Sequence, residues 1–151
     1  MKHKLVKALS LSLGEWWLLT RAWVLLLLVD VGLRSRMMSF RRLQKILAPK
    51  SRTLDKSQPE DAWGTIRRLK RWVDIAARYH LYPMTCLRRS LVLQRLLGQQ
   101  GIAAYLQIGV RKEEENLDAH AWLEYHGLPI GESEYITEYF APLATTLETK
   151  Q

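Results

Sequence analysis

The sequence has a single cysteine, Cys86, which excludes an internal disulfide and favours a reducing compartment over secretion. It also lacks an uninterrupted apolar run of the roughly 20 residues that cross a bilayer, since the run at 22–29 lies between Arg21 and Asp30. The start of the chain faintly resembles a secretory signal, but Glu15 interrupts it and no small-residue cleavage site follows. We therefore expect a cytoplasmic protein.

Acidic residues are in deficit, because Lys and Arg outnumber Asp and Glu by 23 to 15. The basic excess falls in the first two thirds and favours an acidic partner: a peptide, an anionic lipid or a nucleic acid. No nucleic-acid recognition motif accompanies it, so we expect no nucleic-acid partner. The apolar run at 22–29 is expected to be a buried helix. The alternative is peripheral contact with the inner membrane face through Trp16, Trp17 and Trp23.

The length of 151 residues and the 48% hydrophobic content predict one compact domain, and the order of helices and strands expected along it predicts the α+β class. Residues 1–60 are predicted to be basic, apolar helices and a linker, and residues 61–151 the core. Hydrophobic spacing predicts helices at 11–33, 37–47, 61–80 and 86–97, with a linker at 50–60. It predicts strands at 104–110 and 118–125, joined by an acidic loop at 111–117. A third strand is expected to run through Glu132 toward Ile136.

Cys86 lies at a predicted helix start, with Thr85 as the N-cap. The first turn of a helix presents unpaired N–H groups and partial positive charge, which favour the nucleophilic thiolate. Arg88 and Arg89 are expected to add positive charge nearby. The alternative is a buried structural cysteine without chemistry, which is the commoner role of a lone thiol.

His120 lies on a predicted strand in which Ala, Ala, Leu and Tyr alternate with Asp, His, Trp and Glu. Alternate residues face opposite sides of a sheet, so His120 points away from the packed core and could act as the base for Cys86. The alternative is a surface histidine without a role.

A third group should hold the imidazole in place, and Asp118, Glu124 and Glu132 compete for this position. A three-residue loop at 125–127 would place Glu132 directly opposite His120. A two-residue loop at 126–127 would turn Glu132 to the other face. We predict the three-residue loop and Glu132.

Four segments together resemble the lasso-peptide leader peptidases: CLRRSL at 86–91, GIAA at 101–104, IGV at 108–110 and AHAWLE at 119–124. The resemblance covers about residues 83–135. It implies a transglutaminase-like (papain-like) cysteine-protease core, a helix with a small antiparallel sheet preceded by N-terminal helices, without metal or cofactor. In this family a Cys-His-Asp triad removes the leader of a ribosomal precursor peptide, and a lasso cyclase then closes the core peptide.

The sequence departs from that family at the acid, because Glu132 stands where Asp is usual; its longer side chain could still orient His120. No extra β-domain for leader binding is expected in this length, so the resemblance implies the stand-alone peptidase, which uses a separate leader-binding protein. We predict a cysteine endopeptidase with Cys86, His120 and Glu132 as its catalytic residues. The alternatives are a transglutaminase-like acyl transferase and a noncatalytic basic module that binds membrane or peptide.

Overall fold

The computed structural model describes residues 12–35, 39–47, 60–113 and 116–143. The N-terminal segment, residues 37–38 of the predicted second helix and nearly all of the predicted linker lie outside these ranges. The described elements are α1 (Leu13–Arg34), α2 (Phe40–Leu47), α3 (Ala62–Arg78), α4 (Cys86–Gln99), β1 (Tyr105–Glu113), β2 (Asn116–Tyr125), β3 (Leu128–Pro129), α5 (Ile136–Tyr139) and β4 (Ala141–Pro142). The predicted α+β class is confirmed.

Helix α1 begins with a capping box. The Ser12 hydroxyl accepts a hydrogen bond from the Glu15 backbone N–H at 3.3 Å, and the Glu15 carboxylate accepts one from the Ser12 backbone N–H at 2.9 Å. The Ser12 backbone N–H, and to a lesser extent the Ser12 hydroxyl at 3.0 Å, donate to the Glu15 carboxylate and hold its pKa below the ordinary value. The box fixes where α1 starts.

Helix α1 continues through both charged residues that bound the apolar run in the sequence. Arg21 donates to the Gln99 side chain at 2.6 Å, and buried Asp30 lies 3.0 Å from Arg88, so each charge meets a partner on α4. The resulting helix has 22 residues, and an 18-residue window within it has a mean hydropathy of 1.6, so by length and composition alone it could cross a membrane. The core helix of a soluble protein passes the same test. The cytoplasmic location stays a prediction.

The two sides of α1 differ in burial but not in polarity. Ala22, Leu26 and Val29 are buried in the core, where α1 packs against α3 and α4. The opposite side exposes large apolar side chains, including Trp17 at 62% and Leu28 at 61%. The expectation of a buried helix therefore holds for one face of α1 only. The boundary between domains predicted at residue 60 stays a prediction.

The sheet is antiparallel in the order β3-β2-β1-β4, and α4 packs against β2. Leu91, Leu96 and Leu97 of α4 share the core with Ala121 and Leu123 of β2. The predicted acidic loop at 111–117 is largely wrong, since β1 extends to Glu113 and β2 starts at Asn116. Long-range pairing between the strands outweighs the local polarity of this segment.

The hairpin after β2 has a two-residue turn instead of the predicted three-residue loop. Tyr125 pairs with Leu128, and the residues between them, His126 and Gly127, have φ angles of 51° and 77°. Two positive φ values define a turn whose twist matches that of the flanking strands, which favours this shorter connection. The predicted third strand is likewise wrong beyond Pro129, because Ile136 lies in α5.

Candidate active site

Cys86 is the first residue of α4, and Thr85 is the N-cap as predicted, with extended backbone angles. The thiol is free and half-buried. The Thr85 side chain makes no capping hydrogen bond in the described structure. The N–H groups of the first turn therefore stay uncapped by that side chain and point toward the end of the helix that carries the thiol.

His120 and Glu132 are in direct contact. The Nε2 atom of His120 lies 3.2 Å from Oε1 of Glu132, and the two side chains are 24% and 33% exposed. A carboxylate accepts hydrogen bonds and donates none, so Nε2 carries the proton in this contact. Nδ1 is thereby left as the basic nitrogen of the ring.

Glu132 reaches His120 by a different route from the predicted one. The hairpin register continues through Ile130, whose N–H donates to the Leu123 carbonyl at 2.8 Å, and strict alternation would then turn Glu132 to the core face. Gly131, at φ 72°, bends the chain and breaks the alternation. The predicted contact is present although its predicted register was wrong.

The two competing acids are engaged elsewhere on the sheet. Asp118 forms an ion pair with its cross-strand neighbour Arg111 at 3.0 Å. Glu124 accepts hydrogen bonds from the Trp122 indole at 3.0 Å and from the Gln107 side chain at 3.2 Å. Both acids share a face with His120, yet cross-strand and same-strand neighbours hold them in place.

Two aromatic rings pack around His120. Trp122 stacks at 6.1 Å between ring centroids, and Phe140 lies at 5.3 Å. Gly109, the cross-strand partner of His120, makes room for them: a Cβ there would lie 2.7 Å from the Phe140 Cβ. The sequence did not indicate Phe140, since only the pairing of β4 with β1 brings this segment to the site.

Cys86 and Glu132 line one small cavity of about 50 Å³, together with Ser90 and Trp122. The Ser90 hydroxyl donates to the Ala121 carbonyl at 3.1 Å, which attaches the first turns of α4 to β2. Within the described ranges the thiol makes no hydrogen bond, so the contact between thiol and imidazole is not formed here. Catalytic hydrogen bonds are often long in substrate-free enzymes and tighten when substrate binds.

The arginines that follow Cys86 are each paired with an acid, which the sequence did not indicate. Arg88 lies 3.0 Å from Asp30 of α1, and Arg89 lies 3.6 Å from Asp74 of α3. The positive charge expected near the thiol is therefore present but is offset by Asp30 and Asp74.

The described residues contain no group of three or more His, Cys, Asp or Glu side chains that could hold a metal ion.

The family model described as the transglutaminase-like superfamily matches residues 25–145, and the chain belongs to this superfamily. Neither the curated proteins nor the solved structures give a significant match. Members of the superfamily are usually catalytic and act as cysteine proteases or acyl transferases.

Proposed function

We propose that the protein is a cysteine peptidase that removes the leader from a lasso-peptide precursor, with Cys86 as nucleophile. The observation that best supports this proposal is the contact between His120 and Glu132, next to a cavity that Cys86 and Glu132 both line. A thiol at a helix start, an imidazole and an orienting carboxylate are the three parts that thiol acyl chemistry needs.

In the proposed mechanism Nδ1 of His120 takes the thiol proton, and the Cys86 sulfur forms a bond to the scissile carbonyl carbon. The C–N bond then breaks, and the imidazolium gives its proton to the leaving amine, which is the N-terminus of the core peptide. Water attacks the thioester, His120 accepts a proton from it, and the leader departs with a free carboxylate while the thiol is restored. Glu132 acts through His120 as a positioning residue.

Backbone N–H groups at the start of α4 are the proposed oxyanion donors. Because the Thr85 side chain does not cap the helix, these groups can bind the oxygen that becomes negative in the tetrahedral intermediate. The same helix end thus stabilises both the thiolate and the oxyanion.

Cleavage of a purified lasso precursor, followed by mass spectrometry, tests this proposal. We expect wild type to release a leader with a free carboxylate and Cys86→Ala to release none. Glu132→Gln should slow cleavage about 10- to 30-fold: a hydrogen bond to a charged group is worth about 1.5–3 kcal/mol, and the partial exposure of both side chains favours the lower part. The matched control is Glu134→Gln, an exposed acid two residues away, which should stay within about twofold of wild type.

Two results would contradict the proposal. Equal cleavage by wild type and Cys86→Ala would remove the nucleophile. A leader that accumulates as an amide when a primary amine is added, with no free acid, would assign the chain to the acyl transferases instead.

We also propose that a separate leader-binding protein presents the precursor and that a lasso cyclase takes the product, as the resemblance implies. Cleavage should then be slow for this protein alone and faster when the leader-binding protein is added. Equal rates with and without that partner would show that the chain recognises its leader unaided.

A further inference from the structure

Helix α3 presents a basic face on the side opposite its buried residues. Arg67, Lys70, Arg71, Asp74 and Arg78 recur at spacings of three and four and line one groove of about 430 Å³. The buried side of the same helix holds Ile66, Leu69, Trp72, Val73 and Ala76. The face is therefore fixed in orientation by the core behind it.

The groove keeps most of its positive charge uncompensated. Asp74 is the one acid in the described groove lining, and it is already bonded to Lys70 at 2.6 Å and lies 3.6 Å from Arg89. Within the described ranges Arg67, Arg71 and Arg78 have no ion pair with a carboxylate. Among the described residues, Arg67 and Arg78 are therefore available to an anionic ligand, and Arg71 acts on the Glu15 carboxylate only through its longer-range charge.

The basic groove is continuous with the candidate active site. Lys70 and Asp74 line both the groove and the small cavity that contains Cys86. Lys70 also passes close to Gly131, the bend that delivers Glu132. A peptide bound at the thiol would therefore extend directly onto α3.

We propose that this groove binds an acidic segment of the peptide substrate, next to the bond that Cys86 attacks. The inference rests on the proposed function and adds the charge class of the substrate. Helix rise places Arg67 roughly 10 Å beyond Asp74 along α3, which an extended peptide covers in about three residues. The acidic side chains should then lie within a few positions of the scissile bond, on one side of it.

An acidic peptide fits this groove better than a nucleic acid does. Asp74 lies in the middle of the lining and is shared with the cavity at Cys86, so a continuous phosphate backbone would meet a carboxylate there. A peptide can place its acidic side chains on Arg67 and Arg71 and a neutral residue over Asp74. The position of the groove beside the Cys86 thiol, together with its charge, therefore favours a peptide over a nucleic acid as the ligand.

The test compares two peptides that differ only in charge, one with Glu and one with Gln near the scissile bond. We expect wild type to prefer the Glu peptide in kcat/KM by about 3- to 10-fold, through KM, as two exposed ion pairs would give. The double variant Arg67→Glu/Arg71→Glu should lose this preference and favour a third peptide that carries Lys. Arg67→Gln/Arg71→Gln, a milder change, should abolish the preference without reversing it.

Arg68→Glu is the matched control, because Arg68 is exposed on the same helix but does not line the groove. It should retain the wild-type preference for the Glu peptide. Equal loss in Arg68→Glu and the double variant would overturn the proposal in favour of a diffuse charge effect, as would a wild type that ignores the Glu-to-Gln change.

Binding of labelled peptides to Cys86→Ala separates this inference from the proposed function. Tighter binding of the Glu peptide that Arg67→Glu/Arg71→Glu removes would support the groove even if no peptide were cleaved. Equal binding of a DNA oligonucleotide, lost in the same variant, would make the groove a general polyanion surface and overturn the assignment to peptide.

Discussion

The ion pair between Asp30 and Arg88 should stabilise the attachment of α1 to α4, two residues after Cys86. The two groups lie 3.0 Å apart, with Asp30 2% and Arg88 16% exposed. The guanidinium does not point at the carboxylate oxygen as a hydrogen bond requires, so Coulomb attraction is the main term. Arg34 adds a second, more exposed partner at 3.5 Å.

Breaking a buried pair by removing one partner costs about 3–5 kcal/mol in general. Asp30→Asn should cost less, about 2–3 kcal/mol, because the remaining Arg88 keeps some contact with water. Arg88→Met should cost about 3–4 kcal/mol, since it leaves the more deeply buried Asp30 with Arg34 alone. A chain of this size loses about 2–4 °C in Tm per kcal/mol, so Asp30→Asn should melt about 4–12 °C lower.

Urea unfolding of both single variants and of Asp30→Asn/Arg88→Met closes a double-mutant cycle. The double variant should be about 1–3 kcal/mol more stable than the sum of the single losses predicts. The control is Asp118→Asn: it breaks the 3.0 Å pair with Arg111, whose side chains are 46% and 37% exposed, and should cost under about 1 kcal/mol.

Additive losses in the cycle would refute the reasoning, because they would show that the two charges do not interact. The same conclusion would follow if Asp30→Asn cost no more than Asp118→Asn. Burial would then not decide what an ion pair contributes to this fold.

Three further changes test the backbone and the capping box. Gly109→Ala should destabilise by about 1–3 kcal/mol in urea unfolding, because its Cβ would lie 2.7 Å from the Phe140 Cβ; an unchanged midpoint would show that the backbone at Phe140 shifts at little cost. Gly127→Ala meets no atom within 4 Å, so its cost, about 1–2 kcal/mol, should come from the positive φ alone. Ser12→Ala should raise the pKa of Glu15, followed by NMR titration, and a titration curve identical to wild type would contradict the capping box. Because the folded pKa is lowered, the contribution of Glu15 to stability is present at neutral pH and is lost as the pH falls through that lowered pKa.

Local patterns in the sequence were enough to locate the start of α4 and the strand that carries His120. Thr85 before a Leu-rich run indicates a helix whose first residue is Cys86, and alternation at 118–125 indicates which face His120 occupies. Both signals depend on residues a few positions apart, so they can be read without knowing where the rest of the chain lies.

The contact of Glu132 with His120 shows where such reasoning stops. The contact between Glu132 and His120 was predicted through a wrong loop, and the observed two-residue turn alone would have turned Glu132 away. Gly131 restores the contact through a left-handed backbone angle. A glycine permits such an angle in any sequence, but only the packed chain decides whether it is used.

By itself, then, the sequence determined the helix start at Cys86, the strand face of His120 and the basic charge of the chain. Tertiary structure alone decided that Arg88 and Arg89 meet carboxylates from α1 and α3, and that the basic face of α3 lies beside the cavity at Cys86. Periodicity fixes which side of one helix or strand a residue occupies. Charge pairing and the assembly of a cleft depend on segments far apart in sequence, which only the packing of the core brings together.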